Sequence, residues 1–229
     1  NNIRDRALKS GDPDEVAKIM DEMEPWDYPA LGLYELVMHL RAALYKNIAH
    51  MFLGIELTFG SEDVKIVGEI TDRLKENLDE KGNILPEIDE DIKNMLTWLA
   101  SLEGEMDIYE PKRSSRIIKK YIDYAGGMLC EIYIKQLGFE WALSDDADIY
   151  VLKNGNIEIA EPSDCVLKQL LWNQQHNISS IYERFRKAVK DQNNKKLLQA
   201  ILIRYQNKFN PHLTRFCPMR VLKKKYLVL

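Results

Sequence analysis

Glu35 and His39 stand four residues apart in the most apolar stretch of the chain, LGLYELVMHLRAALYKNIAHMFLGIEL. On a helix this spacing puts both on one face, as the carboxylate-bridged di-iron bundles require. Those bundles also need a Glu-x-x-His pair on other helices, and the chain contains none. His50 shares the face with His39, but eleven residues of helical rise separate them by about 16 Å, too far for one ion to bridge. His39 is therefore expected to be a core or boundary residue. Cys130, Cys165 and Cys217 are odd in number, widely spaced and without a C-x-x-C pair. They predict buried, reduced thiols in a cytoplasmic protein, neither disulfides nor nucleophiles. Glu87, Asp89, Glu90 and Asp91 in EIDEDIKN lack the glycine and the distal glutamate of a calcium loop, and acids suit a first helical turn. Asp145, Asp146 and Asp148 read as an acidic loop tip. No G-x-S-x-G, phosphate-binding glycine loop or dinucleotide fingerprint is present, and no cofactor or metal is expected.

Asp148 and Glu158 lie in a helix, three-strand, helix order that resembles the core of restriction-type nucleases. In that family an acid on the second strand and an acid-x-Lys on the third bind a metal and activate water. Ala160 stands at the lysine position. The resemblance thus implies at most a degenerate metal-dependent hydrolase.

Charge is unevenly distributed. The 229 residues carry 32 Lys+Arg and 36 Asp+Glu, for a net charge of −4. Residues 163–229 hold 14 Lys+Arg against 3 Asp+Glu (+11), which leaves 18 against 33 (−15) for residues 1–162. Such asymmetry points to a partner, or to charge compensation within the chain. Arg184, Arg186, Lys187 and Lys190 fall on or near the polar face of one predicted helix, and Lys223, Lys224 and Lys225 cluster in the tail. They form a candidate anion-binding set for nucleic acid or an anionic surface. Tyr182, Phe185 and Tyr205 fall at core spacing, so packing rather than base stacking is expected of them.

The elements that must position these groups follow from periodicity and punctuation. SGDPDEVAKIMDEM has a capped helix start at Asp12-Pro13. Residues 31–53 predict a buried core helix. Its charges make it unsuited to span a bilayer, since Glu- or Arg-like groups at mid-depth cost on the order of 2.5–3.5 kcal/mol each. Ser61 predicts a cap for a helix with Val64, Val67, Ile70, Leu74 and Leu78 inward. Pro86 opens another, with Ile88, Ile92, Met95, Leu96 and Leu99 inward. A long helix is expected from Ser114 or Ser115 to Gly138, with a stripe of Ile118, Tyr121, Ile122, Ala125, Leu129, Ile132 and Gln136. The costly Gly126-Gly127 pair at its middle predicts close packing. Phe139, Trp141 and Leu143 alternate as a strand. Asn154-Gly155 predicts a type I′ hairpin pairing Leu152 with Ile157 and Tyr150 with Ile159, with the opposite face mixed. After Pro162 come SDCVLKQLLW and two further helices, ISSIYERFRKAV and NKKLLQAILIRYQNKF. The latter is expected to turn Leu197, Leu198, Ile201, Leu202 and Tyr205 inward.

The fold class expected is α+β, predominantly α-helical, with about seven helices and one small three-stranded antiparallel meander near 139–160. At this length one domain is expected. It comprises an acidic helical part (1–113), a helix-meander-helix core (114–173) and a basic helical part (174–229). The start at Asn1 without methionine reads as a trimmed chain.

YAGGMLCEIYIKQLGFEWAL…YVLKNGNIEIAEPSDCVLKQL, residues 121–171 in outline, resembles an uncharacterised family of bacterial domains of the immunity or interaction type. There a glycine-bearing helix ends in Leu-Gly, a tryptophan strand and hairpin follow, and a proline opens the next helix. Cys130 departs from that pattern, which carries a glycine there. The resemblance implies a non-enzymatic protein partner and brings no catalytic residues. Combined with the charge, it makes Asp89, Glu90, Asp91, Asp145, Asp146 and Asp148 the candidate interface of an immunity protein. The alternatives are an anionic-surface or nucleic-acid module and the degenerate hydrolase. Oligomeric state is left open.

Overall fold

Apolar residues at helical spacing favour helix in residues 31–53 and 111–137, with proline confined to the first turn of the second, and these two helices pack on each other. The computed structural model describes residues 31–102, 104, 107–144, 150–159, 162–171 and 177–209. The described elements are α1 (Leu31–Leu53), α2 (Asp63–Lys75), α3 (Glu90–Leu102), α4 (Pro111–Leu137), β1 (Glu140–Leu143), β2 (Tyr150–Asn154), β3 (Ile157–Ile159), α5 (Ser163–Leu171) and α6 (Ile178–Phe209). The fold is α+β and mostly helical, with one three-stranded antiparallel sheet in the order β1-β2-β3. The chain divides into two compact units, Asn1–Arg186 and Lys187–Leu229. The predicted helix at Asp12-Pro13 lies outside the described residues.

In the first unit α4 is buried almost all round from Lys120 to Tyr133, with Asp123 half-exposed. Gly126 and Gly127 explain how neighbours reach it. A Cβ at Gly127 would stand 2.7 Å from Arg41 Cβ and 2.9 Å from the Met38 carbonyl on α1. One at Gly126 would stand 2.7 Å from Ser163 Cβ at the start of α5. The close packing expected of this pair is present. The stripe differs at its end, where Gln136 is exposed and its Nε2 donates to the Phe59 carbonyl at 2.9 Å. Across the α1–α4 seam the Tyr45 and Tyr121 hydroxyls lie 3.3 Å apart, and Tyr121 continues to Thr71 on α2 at 3.0 Å. Burial pushes the Tyr121 hydroxyl up to about 12, so this chain stays neutral. A second polar link ties α5 to α2. Gln169 Nε2 donates to the Gly68 carbonyl and to Asp72 Oδ1, and its Oε1 accepts from the Ile178 amide.

Three helix starts depart from expectation: α2 has no side-chain cap, and at α3 and α4 other groups take over capping. Glu62, not Ser61, precedes α2, and the Asp63 carboxylate turns back to accept from the amides of Thr58 and Gly60. The α3 helix begins at Glu90 rather than near Pro86, with Asp89 accepting from Ile92. Glu110 caps α4 by accepting from Lys112 and Arg113, with Pro111 in the first turn. Ser114 instead accepts the Ile84 amide at 3.2 Å. Gly138 ends α4 at φ 67°, as expected.

The meander also differs in detail. Leu152 pairs with Ile159 and Asn154 with Ile157, so the two-residue turn is Gly155-Asn156, with φ 60° at Gly155. Asn154 is unavailable to the turn, since its Nδ2 donates to the Leu137 and Gly138 carbonyls at 2.8 and 3.1 Å. The shift moves each partner by two residues, so Leu152 and Ile159 still share the inward face. The opposite face, expected mixed, buries Val151, whereas on the Leu152 face Leu143, paired with Tyr150 at the strand end, is 54% exposed. Tyr34 on α1 meets Trp141 edge-on and lies beside Tyr150, each at 5.0 Å between centroids.

The two helices expected after residue 177 are one continuous helix, α6. The intervening Asp191-Gln-Asn-Asn contains neither glycine nor proline, and each residue costs only a few tenths of a kcal/mol in a helix. As expected, Tyr182 and Phe185 pack, against Tyr133 and, for Phe185, Phe139. Leu197 and Leu198, expected inward, are 60% and 61% exposed. The side chains of Ile201, Leu202 and Tyr205 lie outside the described residues.

Candidate functional site

From the end of α2 into the first turn of α3, residues 76–91 (ENLDEKGNILPEIDED) place seven Asp+Glu beside a single lysine. This connection holds itself in shape. Asp79 accepts from the Lys81 and Asn83 amides, both at 2.8 Å, and from Asn83 Nδ2 at 2.9 Å. Leu78 and Ile84 form an antiparallel bridge, and the Leu85 amide donates to the Asn77 carbonyl at 3.0 Å. The Asp89 amide reaches Asn77 Oδ1 at 2.8 Å. At the base, Arg73 Nη2 donates to both Asp89 oxygens at 2.7 Å and to Asp91 Oδ2 at 2.9 Å.

These bonds settle the state of two carboxyls. The Arg73 guanidinium, helped by the Ile92 and Asp91 amides, holds Asp89 below the usual carboxylate range. Asn83 does the same for Asp79. Both therefore stay ionised, with their hydrogen-bonding capacity largely used within the loop. Glu76, Glu80 and Glu87 are exposed and have no cation within ion-pair distance among the described residues. They are the carboxylates available to a visitor.

The predicted interface residues thus separate by role. Asp89 caps α3 and shares Arg73 with Asp91, while Glu90 reaches Lys93 at 3.5 Å. Asp145, Asp146 and Asp148 lie outside the described residues. Sequence reasoning missed Arg73, whose partners lie 16 and 18 positions away. It also passed over Glu76, Glu80 and Glu87 as a set; the charge density of 76–91 was the available signal. Of the predicted basic set, Arg184, Arg186, Lys187 and Lys190 are exposed on α6, with Arg186 paired to Glu183 at 3.0 Å. Lys223, Lys224 and Lys225 lie outside the described residues.

The other candidates for chemistry have structural partners. Glu158 meets Lys153 across the hairpin at 2.8 Å. No group of three His, Cys, Asp or Glu side chains able to hold a metal occurs among the described residues. Cys130 and Cys165 are buried, and burial raises the Cys130 thiol well above its ordinary value, which makes it a poor nucleophile.

His39 is exposed, short of the core or boundary burial expected of it, and its carboxylate partner is Glu131 on α4, at 3.2 Å, rather than Glu35. Lys135 stands 3.9 Å from the same carboxylate and 3.8 Å from the centroid of the Phe59 ring. The hydrogen bond to Glu131 raises His39 above its ordinary value of 6.5, against burial and Lys135. A raised histidine contributes stability that is complete below pH 6.5 and is lost as pH rises through the folded-state value. Denaturation midpoints measured between pH 5.5 and 8.5 are expected to fall over that window, on top of any common trend, and His39→Gln to remove the difference. Identical pH profiles for both proteins would refute this role.

No protein-family model matches this chain, and no curated protein or solved structure matches it either.

Proposed function

We propose that this protein is a non-enzymatic binding protein whose acidic 76–91 loop receives a basic partner protein, in the manner of a toxin-neutralising immunity protein. The observation that carries the reading is the loop's construction. Asp79, Asn77 and the Arg73–Asp89 pair hold the loop in shape, while Glu76, Glu80 and Glu87 are exposed with no cation within ion-pair distance among the described residues. A backbone held in place beforehand lowers the ordering cost of association to that of the side chains it carries, and a concentrated negative surface raises the on-rate and rejects acidic competitors. The resemblance of residues 121–171 to interaction-type bacterial domains points the same way.

The test compares the full chain with Glu76→Lys/Glu80→Lys/Glu87→Lys, a variant that leaves Asp79, Asp89 and Arg73 untouched. Each is immobilised, exposed to extract of the source cell at low and moderate salt, and the captured protein is then purified for rate measurements. A basic protein is expected on the native chain, with an association rate about tenfold lower on the variant and falling with salt. Capture of the same protein at the same rate by both would refute the loop as its docking surface.

A further inference from the structure

Helix α6 carries an apolar pair that the helix itself leaves open. Leu197 and Leu198 are 60% and 61% exposed, beyond any other large hydrophobic among the described residues. At 100° per residue, Leu197, Leu198, Ile201, Leu202, Tyr205 and Phe209 occupy positions within an arc of about 140° round the helix. The arc runs along the axis for about 18 Å. Positions Lys195 and Arg204 border it on its two sides, and Lys208 falls inside one edge. From Lys187 to Phe209 the helix holds six Lys+Arg and one acid, Asp191. Lys187, Lys190, Lys195 and Lys196 are exposed, with no carboxylate within 4.0 Å among the described residues.

We propose that residues 187–209 of α6 form an interfacial helix that docks on a bilayer surface rich in anionic phospholipid. The width of the arc and its basic borders decide the occupant. A helix lying in the interface buries a broad apolar face among acyl chains while its flanking lysines and arginines meet anionic headgroups. A second copy laid on the same face would bring Lys195, Arg204 and Lys208 against like charges and oppose its own association. A nucleic acid would satisfy the cations but leave Leu197 and Leu198 without a use. No helix among the described residues is long and apolar enough to cross a membrane, so the helix would lie on the surface. The proposal is independent of the acidic-loop reading.

The experiment is co-sedimentation of the full chain with vesicles of phosphatidylcholine alone and of phosphatidylcholine with phosphatidylglycerol, across a salt series. Binding to the mixed vesicles, weakening with salt, is expected. The exposed sites at 197 and 198 accept substitution without disturbing packing, and circular dichroism checks the helix. Leu197→Ser/Leu198→Ser is expected to weaken partitioning by at least about tenfold, through lost apolar burial. Lys195→Gln/Lys196→Gln is expected to weaken it by about tenfold or more, through lost attraction to the headgroups. Failure to pellet with the mixed vesicles would overturn the proposal. So would pelleting unaffected by the leucine exchange, which would mean adsorption by charge alone. Lipid-free self-association abolished by the same exchange, without vesicle binding, would assign the face to a second copy and also overturn it. Duplex DNA binding indifferent to the leucines, with no vesicle binding, would overturn it as well.

Discussion

Gly127→Ala is expected to lower the unfolding free energy by about 2 kcal/mol, although alanine is the better helix former by about 1 kcal/mol. The added methyl would sit 2.7 Å from Arg41 Cβ, 2.9 Å from the Met38 carbonyl oxygen and 3.0 Å from the Ala42 nitrogen. Two of these three atoms belong to the α1 backbone and cannot swing aside like the end of a long side chain. Relief requires α1 and α4 to separate, and the cores on both sides of the seam lose contact. Overpacking of a dense interior typically costs 1–3 kcal/mol, and here the backbone contact places the gross cost at about the upper end. For a chain of this size the midpoint of thermal unfolding should fall by about 4–8 °C. Gly32→Ala is the control, because a methyl there meets nothing within 4 Å. That substitution is expected to be neutral or slightly stabilising. If Gly127→Ala proved as stable as the native chain, the tight seam would be refuted.

Gln169→Leu is expected to cost about 2–3 kcal/mol, nearly all of it from polar groups left without partners. Gln169 is 5% exposed, and its side chain joins three places in the fold. Its amide nitrogen serves the Gly68 carbonyl at 2.9 Å and Asp72 at 2.8 Å on α2, and its oxygen accepts the Ile178 amide at 2.8 Å. Leucine preserves the volume but offers no acceptor, and the Ile178 amide belongs to a residue with 0% exposure. Asp72 is exposed and recovers water, so the orphaned amide dominates the cost. Urea unfolding measures the total, and hydrogen exchange at Ile178 locates it. The Ile178 amide is expected to lose protection more than amides in the middle of α4. Unchanged stability together with unchanged protection at Ile178 would exclude this role for Gln169.

Residue by residue, legibility in the sequence tracks how local each cause is. Gly138 could be read as the end of α4 because Leu-Gly after a long stripe is a local stop signal, and the residue adopts φ 67°. Gly126-Gly127 could be read as a contact because two glycines in mid-helix are costly unless something comes close. Asn154-Gly155 was misread by one position because the asparagine is used elsewhere. Its amide holds the end of α4, sixteen and seventeen residues back, and the turn slides to Gly155-Asn156. Ser114 looked like a cap and became an acceptor for Ile84, thirty residues earlier. Neither outcome carries a local signature.

The candidate site shows the same division. Its charge was visible as a run of acids, but the separation of structural from available carboxylates was not. Asp89 and Asp91 looked exposed and free, and Arg73 claims both from the preceding helix. Leu197 and Leu198 show the reverse case: helical spacing marked them as inward, whereas α6 leaves them open. Periodicity reports that a helix has an apolar side, and it does not report what lies against that side.

By itself the sequence determined the fold class, the order of most elements, the inward faces of α2 and α3, the tight glycine seam and the separation of acidic from basic charge. These follow from side-chain period, backbone freedom and composition, all of which act over a few residues or as sums over the chain. Only the tertiary structure decided which side chain caps which helix, where the hairpin turns, which acids are spoken for and which leucines stay open. Each of those outcomes is a competition between partners distant in sequence for the same hydrogen bond, cation or apolar surface. Such a competition is settled by distance in space, which a linear reading does not contain.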